Sequence, residues 1–393
     1  MRILFVASFC NLFEVNSGGA MRNNLFVEAL SKIGHVDVIS FHQDSLVSNI
    51  ENCDVIYSEV IKERHSYLEF ARSWLSIAIR PDSPYSYYKV NKRKSSIVDS
   101  FVREREYDII ACRYVDSAVH CDLLRYKDRL VIDMDDHPAN KLKYIIPQIR
   151  LPVVRWKRQF EVERIGRMVE KLLDGVRCSF YSNIQEKPAA RSCYLHNTIT
   201  IKETVPDLNS STELCILYVG NLSFMPSCKG VCHFVEKIFP LIRKQVPTAK
   251  LRIVGKGNAE LIARLNEQDG VEAVGYVKDI IPEYIRSRVV VVPIYSGTGT
   301  CVKFVEGMMM NRPVVSTPVG ARGFENICRD GEHFMLAKND EGFANKTIEL
   351  LSSLSMSTEM AKKGYEIAKR NYSQESFFEI VEESIKNTEV IGL

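Results

Sequence analysis

A lysine and a glutamate lie three residues apart in a glycine-rich segment, YSGTGTCVKFVEGMMMNRPVVSTPVGARG, which spans residues 295–323. These are Lys303 and Glu306, and the spacing places them on one face of a short predicted helix. The glycine turn before this helix lets backbone approach an anion, and a helix N-terminus favours negative charge. Lys303 would neutralise a pyrophosphate, and Glu306 would accept hydrogen bonds from a ribose diol. The segment therefore predicts a nucleotide-sugar site.

The alternative for Lys303 and Glu306 is a surface i,i+3 ion pair, which contributes roughly 0.2–0.5 kcal/mol. The apolar run GMMMNRPVV that follows indicates a buried setting, however, and a solvated pair needs no glycine-rich approach. These two features favour the ligand site.

Length and composition narrow the class of protein. A chain of 393 residues with 46% hydrophobic residues predicts two globular domains. The net charge of +3 argues against a dedicated nucleic-acid binder. The eleven cysteines form no CxxC pair, which predicts reduced thiols. MRILFVASF is too short for a signal peptide, and no apolar run reaches the roughly 18–20 residues of a membrane span, so we expect a cytoplasmic protein.

Strands and helices alternate in both halves of the chain. The predicted strands of the first half are RILFVAS, VDVISF, YDIIACR, RLVIDMD and VRCSFYSN, the last of which is expected to end the sheet. Those of the second half are ELCILYVGNL, AKLRIVGKG, VEAVGYV, VVVVPIY and PVVSTPV. Residues 341–390 are predicted to be helical. The pattern is α/β and predicts two Rossmann-like doubly wound domains facing a central cleft, where ligands bind at the carboxyl ends of the strands.

A polar segment with a proline, TITIKETVPDLNSST, is the predicted linker. It separates an N-terminal, acceptor-side domain, 1–204, from a C-terminal, nucleotide-sugar-binding domain, 205–375. A final helix within 376–393 is expected to pack back on the N-terminal domain.

Several blocks of the second half are familiar in their order and spacing: LYVGNLSFMPSCKG, LRIVGKG, VGYV, GTGTCVKFVEGMMMNRPVVSTPVGARG and GEHFMLA. Across about 215–340 they resemble the nucleotide-binding domain of GT-B glycosyltransferases, specifically the retaining group called family 4. The first half matches more weakly, through NSGGAMRN and VIDMDDHP. The resemblance implies a nucleotide-diphosphate sugar as co-substrate, no other cofactor and no metal.

The family motif has two glutamates separated by seven residues. Glu306 stands at the second position, which typically holds the nucleotide ribose, and the resemblance carries that role to it. The first position, which meets the transferred sugar, is Thr298 in this chain. Its hydroxyl or the backbone amides of Gly299 and Thr300 are the expected replacements.

Other glycines and polar side chains are candidates for the donor. Gly18 and Gly19 are expected to place backbone amides near the donor phosphate or the departing sugar, with a plain turn as the alternative. Arg22, one turn into the next helix, is a candidate for added charge. Family members often have phosphate-binding groups in or near the loop after the first strand of this domain. In this chain that region contains Asn221, Ser223 and Lys229. Gly255 and Gly257 either flank the base or serve as turn glycines.

An acidic run ends a predicted strand of the first half. Asp133, Asp135 and Asp136 would repel each other, so at least one is expected to point into a polar cleft. Asp136 or His137 is the candidate for orienting the acceptor hydroxyl or taking its proton. A solvated strand end and a metal site are the alternatives.

Residues 141–160 hold six basic residues and no acid among aliphatic and aromatic side chains. They predict a core-facing segment with a basic exposed side, or a peripheral contact with the inner membrane face.

Together these features predict a glycosyltransferase acting on a glycan or lipid-linked acceptor in surface polysaccharide or glycoconjugate synthesis. A nucleotide-sugar epimerase of the same fold and a non-catalytic nucleotide-sugar-binding scaffold are the alternatives.

Overall fold

The computed structural model describes residues 1–13, 18–61, 89–183, 191–198, 206–209, 213–297 and 299–387. The chain divides into two compact units. Unit 1 comprises Met1–Asn197 and Gln374–Leu393, and unit 2 comprises Thr198–Ser373. The predicted linker, 198–212, therefore begins at a boundary of the two units, and the last segment of the chain returns to unit 1.

Unit 1 is built on a parallel sheet with strand order β3-β2-β1-β4-β5-β6-β7. The strands are β1 (Arg2–Ala7), β2 (His35–Ser40), β3 (Cys53–Ser58), β4 (Ile109–Arg113), β5 (Leu130–Asp135), β6 (Cys178–Tyr181) and β7 (Ser192–Tyr194). The helices are α1 (Gly18–Ile33), α2 (Lys92–Glu104), α3 (Val115–His120), α4 (Pro138–Ile145), α5 (Pro152–Leu173) and α13 (Gln374–Lys386), with 3-10 turns at Leu123–Arg129 and Ile146–Gln148.

The central strands of unit 1 are covered on both faces. Val6 of β1 lies between Ile39 of β2 and Cys112 of β4, and all three are fully buried. Such unbroken apolar strands suit a parallel sheet with helices on either side. On one face, α13 packs with α1 and adds Phe377, Val381 and Ile385 to the core; none of these three side chains is exposed.

Unit 2 has a second parallel sheet, with strand order β10-β9-β8-β11-β12-β13. The strands are β8 (Cys215–Val219), β9 (Lys250–Val254), β10 (Val271–Gly275), β11 (Val289–Val292), β12 (Val314–Ser316) and β13 (Met335–Leu336). The helices are α6 (Met225–His233), α7 (Phe239–Gln245), α8 (Ala259–Asn266), α9 (Ile281–Arg286), α10 (Val302–Met309), α11 (Asp340–Ser352) and α12 (Leu354–Tyr372), and a π-helical turn, Phe234–Ile238, joins α6 to α7.

In both sheets the chain order reverses between the first and fourth strands of the unit, at β1/β4 and at β8/β11. Both units are therefore doubly wound, as predicted. A cleft between them remains a prediction.

Three strands of the structure, β3, β7 and β13, were not predicted from the sequence. VRCSFYSN forms β6, but the expectation that it ends the sheet is wrong because Ser192–Tyr194 adds β7 beyond it. The predicted boundaries after residues 204 and 375 compare with Asn197 and Ser373 in the structure. None of the helices in the described ranges combines the length and the apolar character that crossing a bilayer requires.

Candidate functional site

The loops at the carboxyl ends of β8, β9, β11 and β12 surround the reversal point of unit 2. Parallel strands end at the same edge of a sheet, and ligands of doubly wound domains bind there. Helix α10 begins at this edge, after Gly299 and Thr300, and carries the lysine and the glutamate singled out from the sequence.

Lys303 is partly exposed, and its Nζ donates a hydrogen bond to Ser227 Oγ at 3.2 Å. Its side chain lies against Gly220, the first residue after β8. A Cβ atom at position 220 would overlap Cε of Lys303 and lie 2.8 Å from the Tyr218 hydroxyl. The glycine at this position therefore makes room for the Lys303 side chain beside the loop after β8.

Glu306 lies one turn further along α10. Burial raises the pKa of its carboxyl group to about 7, although Lys303 and the hydroxyl of Tyr284 both lower that pKa. Tyr284, on α9, is fully buried. A carboxylate kept in such a setting is costly unless hydrogen-bond donors reach it. A ribose diol would supply two such donors.

Gly255 and Gly220 pack backbone to backbone. Gly255 has φ of 145°, and a Cβ there would overlap the Gly220 carbonyl. The Gly220 N–H donates to the Val254 carbonyl at 2.8 Å, and the Gly255 N–H donates to the Gly275 carbonyl at 2.7 Å. This close approach explains the glycine in IVGKG, and a role beside the base remains a prediction.

The loop after β8 is ordered by its own side chains. Asn221, which is exposed, accepts a hydrogen bond from the Ser223 N–H at 2.9 Å. Lys229 is an exposed residue of α6. This contact does not involve Lys303, and the phosphate roles of Asn221, Ser223 and Lys229 remain predictions.

The loop before α10 is held by the loop after β12. Arg322 Nη2 donates to the Gly297 carbonyl at 2.5 Å, and the Thr317 hydroxyl donates to the Ile294 carbonyl. Thr298 lies outside the described residues, so its predicted sugar contact is untested. Gly299 and Thr300 are partly exposed in this loop, and their contacts with a sugar remain predictions.

In unit 1, Gly18 and Gly19 begin α1 at the edge where β1 ends. A Cβ built at Gly19 meets nothing within 4 Å, so open space surrounds this turn. Open space is compatible with a ligand against these amides, and that role remains a prediction.

The acidic run at the end of β5 is largely internal. Asp133 is fully buried and receives two hydrogen bonds from Arg22, at 2.9 and 2.8 Å. Arg113, also fully buried, lies 2.8 Å from both Asp133 and Asp135. The structure therefore contradicts the interpretation of Arg22 as a charge facing the donor, because its guanidinium is enclosed with Asp133.

Asp136 and His137, which follow this network in the sequence, are partly exposed. Asp136 is partly exposed and accepts a hydrogen bond from the Ser182 hydroxyl at 3.3 Å. His137 precedes α4, and its Nδ1 accepts from the Ala139 N–H at 3.2 Å. Burial, helped by Lys143, lowers the pKa of His137. The ring is thus neutral near pH 7 with its proton on Nε2, which makes it a donor at that atom and leaves Asp136 as the better candidate base.

Sequence reasoning missed three neighbours of the pair on α10: Gly220, Ser227 and Tyr284. The first two lie in the block LYVGNLSFMPSCKG, whose position after a buried strand was a usable signal. Tyr284 had no such signal, because only the packing of α9 brings it to Glu306. Among the described residues, no three His, Cys, Asp or Glu side chains converge as they would around a metal ion.

Comparison with known proteins gives a family match in unit 2. Residues 213–353 match the family described as Glycosyl transferases group 1. Over nearly its whole length the chain is 23% identical to a protein of Klebsiella pneumoniae described as an uncharacterized 44.6 kDa protein in the cps region, covering 96% of this chain and 98% of that protein.

Solved structures resemble the whole chain. Sucrose-phosphate synthase from Thermosynechococcus elongatus aligns with a TM-score of 0.67 at 17% identity, covering 98% of each chain. A glycosyltransferase from Rickettsia africae aligns with a TM-score of 0.66 at 15% identity, covering 100% of this chain and 99% of that one. HepE from Anabaena, solved in complex with UDP, aligns with a TM-score of 0.62 at 14% identity, covering 98% and 100%. These alignments establish the shared fold.

Proposed function

We propose that this protein, which has the GT-B glycosyltransferase fold and carries a glycosyl transferases group 1 domain at residues 213–353, transfers a sugar from a nucleotide-diphosphate donor to an acceptor hydroxyl. The observation that carries the proposal is the placement of Lys303 and Glu306 on one short helix at the reversal point of unit 2, with Gly220 making room for the lysine.

The donor would lie along α10. Glu306 accepts hydrogen bonds from the ribose, and Lys303, about 4.5 Å nearer the start of the helix, binds the pyrophosphate. HepE was solved with UDP, and uridine diphosphate is our first choice of nucleotide for this chain.

Catalysis would rest on positioning and on stabilising the departing diphosphate. Negative charge grows on the leaving oxygen as the bond to the sugar breaks, and Lys303 and the amides before α10 face that charge. Retention of configuration, as in the family 4 group, is part of the proposal. No metal is assigned, since the lysine supplies the cation.

The acceptor would be bound by unit 1, with Asp136 oriented toward its hydroxyl and His137 acting as a hydrogen-bond donor. The Klebsiella relative lies in the cps region, which supports surface polysaccharide or glycoconjugate synthesis as the process. Eleven free thiols, none of them exposed, suit a reducing cytoplasmic compartment.

A peripheral membrane contact of unit 1 is supported by the start of α5. Leu151, Val153, Trp156 and Phe160 are 66%, 61%, 65% and 48% exposed. The rings of Trp156 and Phe160 stack at 6.1 Å. Large exposed apolar side chains beside basic ones are typical of interfacial helices.

The basic side chains of this segment do not all face solvent. Lys157 is buried and lies 3.6 Å from Glu161, and Arg158 binds the same carboxylate at 2.7 Å. The prediction that all six bases serve the membrane is therefore wrong for Lys157. Arg150 and Arg155 are exposed and remain available to anionic lipid.

The function is tested with a panel of UDP- and GDP-sugars, using Lys303→Ala and, as a matched control, Lys362→Ala at an exposed position of α12. We expect slow hydrolysis of one donor by the wild type and the control, and a large loss in Lys303→Ala. A changed sugar on an intact nucleotide would indicate an epimerase. No binding of any donor would refute the transferase and favour a scaffold.

The membrane contact is tested by co-sedimentation with phosphatidylglycerol-containing liposomes at low and high salt. Binding of the wild type should fall in Trp156→Ala and, to a similar degree, in Phe160→Ala. The control Phe224→Ala changes an exposed aromatic of unit 2 and should leave binding intact. A wild type that ignores these liposomes at low salt would refute the contact.

A further inference from the structure

The loop before α10 is contacted by a positive charge, Arg322, that the proposed function leaves unexplained. From Glu306 to Lys303 the donor runs toward the N-terminus of α10. The next group after the pyrophosphate is the sugar, and the same direction leads to the loop residues Gly297, Gly299 and Thr300. The sugar is therefore expected beside this loop, a deduction that rests on the proposed function.

Arg322 is the cation at this loop. It lies after β12 and is partly exposed, and its Nη2 donates to the Gly297 carbonyl at 2.5 Å. Its Nε is buried and has no hydrogen-bond partner among the described residues. A guanidinium has five N–H donors, so most of its capacity is left for another acceptor.

The acid nearest to this arginine in the sequence is Glu325. Glu325, three residues on, accepts a hydrogen bond from the Gly323 N–H at 2.6 Å, so its carboxylate turns back to its own loop. The residues from Gly297 to Val302 include no acid. No acid among the described residues forms an ion pair with Arg322, so a neutral sugar would leave it without a charged partner in that part of the chain. A carboxylate, by contrast, matches a guanidinium in both charge and planar geometry.

We propose that the donor sugar is a hexuronate, whose C6 carboxylate binds the Arg322 guanidinium beside Gly297. The arginine would then act as a specificity-determining residue, with the Gly297 carbonyl fixing its orientation and Lys303 reserved for the pyrophosphate.

The test compares dissociation constants of UDP-glucuronate, UDP-glucose and UDP by calorimetry, together with GDP-mannuronate, GDP-mannose and GDP. For the nucleotide that binds, we expect the wild type to hold the hexuronate at least about tenfold tighter than the hexose. Arg322→Gln should remove this preference and leave the affinity for the free nucleotide diphosphate unchanged. Arg322→Lys should retain part of the preference.

Arg329→Gln is the matched control. This substitution removes the same charge seven residues further along the chain, at a side chain that is 78% exposed. It should keep the full preference. Equal affinity of the wild type for hexuronate and hexose would overturn the proposal. The proposal would also be overturned if Arg322→Gln, shown to be folded by its melting curve, lost affinity for free UDP by the same factor as for the hexuronate donor. The arginine would then serve the diphosphate. Failure to bind either UDP or GDP would refute the proposed function instead.

Discussion

Replacing Glu306 with glutamine should weaken nucleotide binding and, above neutral pH, stabilise unit 2. Burial raises the pKa of the Glu306 carboxyl from 4.5 to about 7, so the folded protein holds this proton more tightly than the unfolded chain. Stability is therefore lost as pH rises from about 4.5 to about 7, and no more is lost above that range. Each pH unit corresponds to about 1.4 kcal/mol, which sets an upper limit of about 3 kcal/mol.

Glutamine carries no titrating proton, so Glu306→Gln should escape this loss. We expect the variant and the wild type to melt together near pH 4.5, and the variant to melt several degrees higher at pH 8, at roughly 2–4 °C per kcal/mol. The same substitution also removes the charged carboxylate that would accept hydrogen bonds from the ribose. Such a loss typically costs about 1.5–3 kcal/mol of binding free energy.

The assay pairs melting curves from pH 4.5 to 8 with calorimetric titration of UDP and GDP. Glu349→Gln, at an exposed position of α11, should change neither quantity. Unchanged nucleotide affinity in folded Glu306→Gln would refute the ribose assignment. A melting difference that is the same at every pH would refute the argument from burial.

Further outcomes follow from the same contacts. Affinity of the wild type for a UDP-sugar should rise with pH up to about 7 by at most about tenfold per unit, because the diol prefers the Glu306 carboxylate; a flat profile by titration would contradict this. Gly220→Ala should displace Lys303 and weaken UDP binding, with Gly166→Ala in α5, where an added Cβ meets nothing within 4 Å, as a control; equal affinity would argue against the lysine's position. Asp133→Asn should destabilise unit 1 by about 3–5 kcal/mol in chemical unfolding, since it leaves two buried arginines without their shared carboxylate; a small change would contradict the enclosure. Activity should survive EDTA, and loss that magnesium or manganese restores would require a metal site.

The sequence predicted what depends on local pattern. The apolar runs of β1, β4 and β5 and the one-face spacing of Lys303 and Glu306 are visible in consecutive residues, and the structure confirms them. The short strands β7 and β13 were missed because three and two residues cannot show a period.

Contacts between distant parts of the chain could not be predicted in the same way. Nothing near Asp133 in the sequence shows that it binds Arg22, 111 residues earlier. The raised pKa of Glu306 likewise depends on enclosure, which only packing creates. The acidic run was therefore interpreted as a polar site, whereas its first member is internal.

The return of α13 to unit 1 has a consequence for synthesis on the ribosome. Unit 2 has all its residues once Ser373 emerges, but unit 1 still lacks Phe377, Val381 and Ile385 of its core. Although domains generally fold in N-terminal order, we expect the second unit of this chain to reach a protease-resistant state first. Nascent chains arrested with residues up to 373 outside the ribosome should be cleaved in unit 1 by limited proteolysis, and those extended through Lys386 should resist. Equal resistance at both lengths would show that unit 1 closes without its last helix.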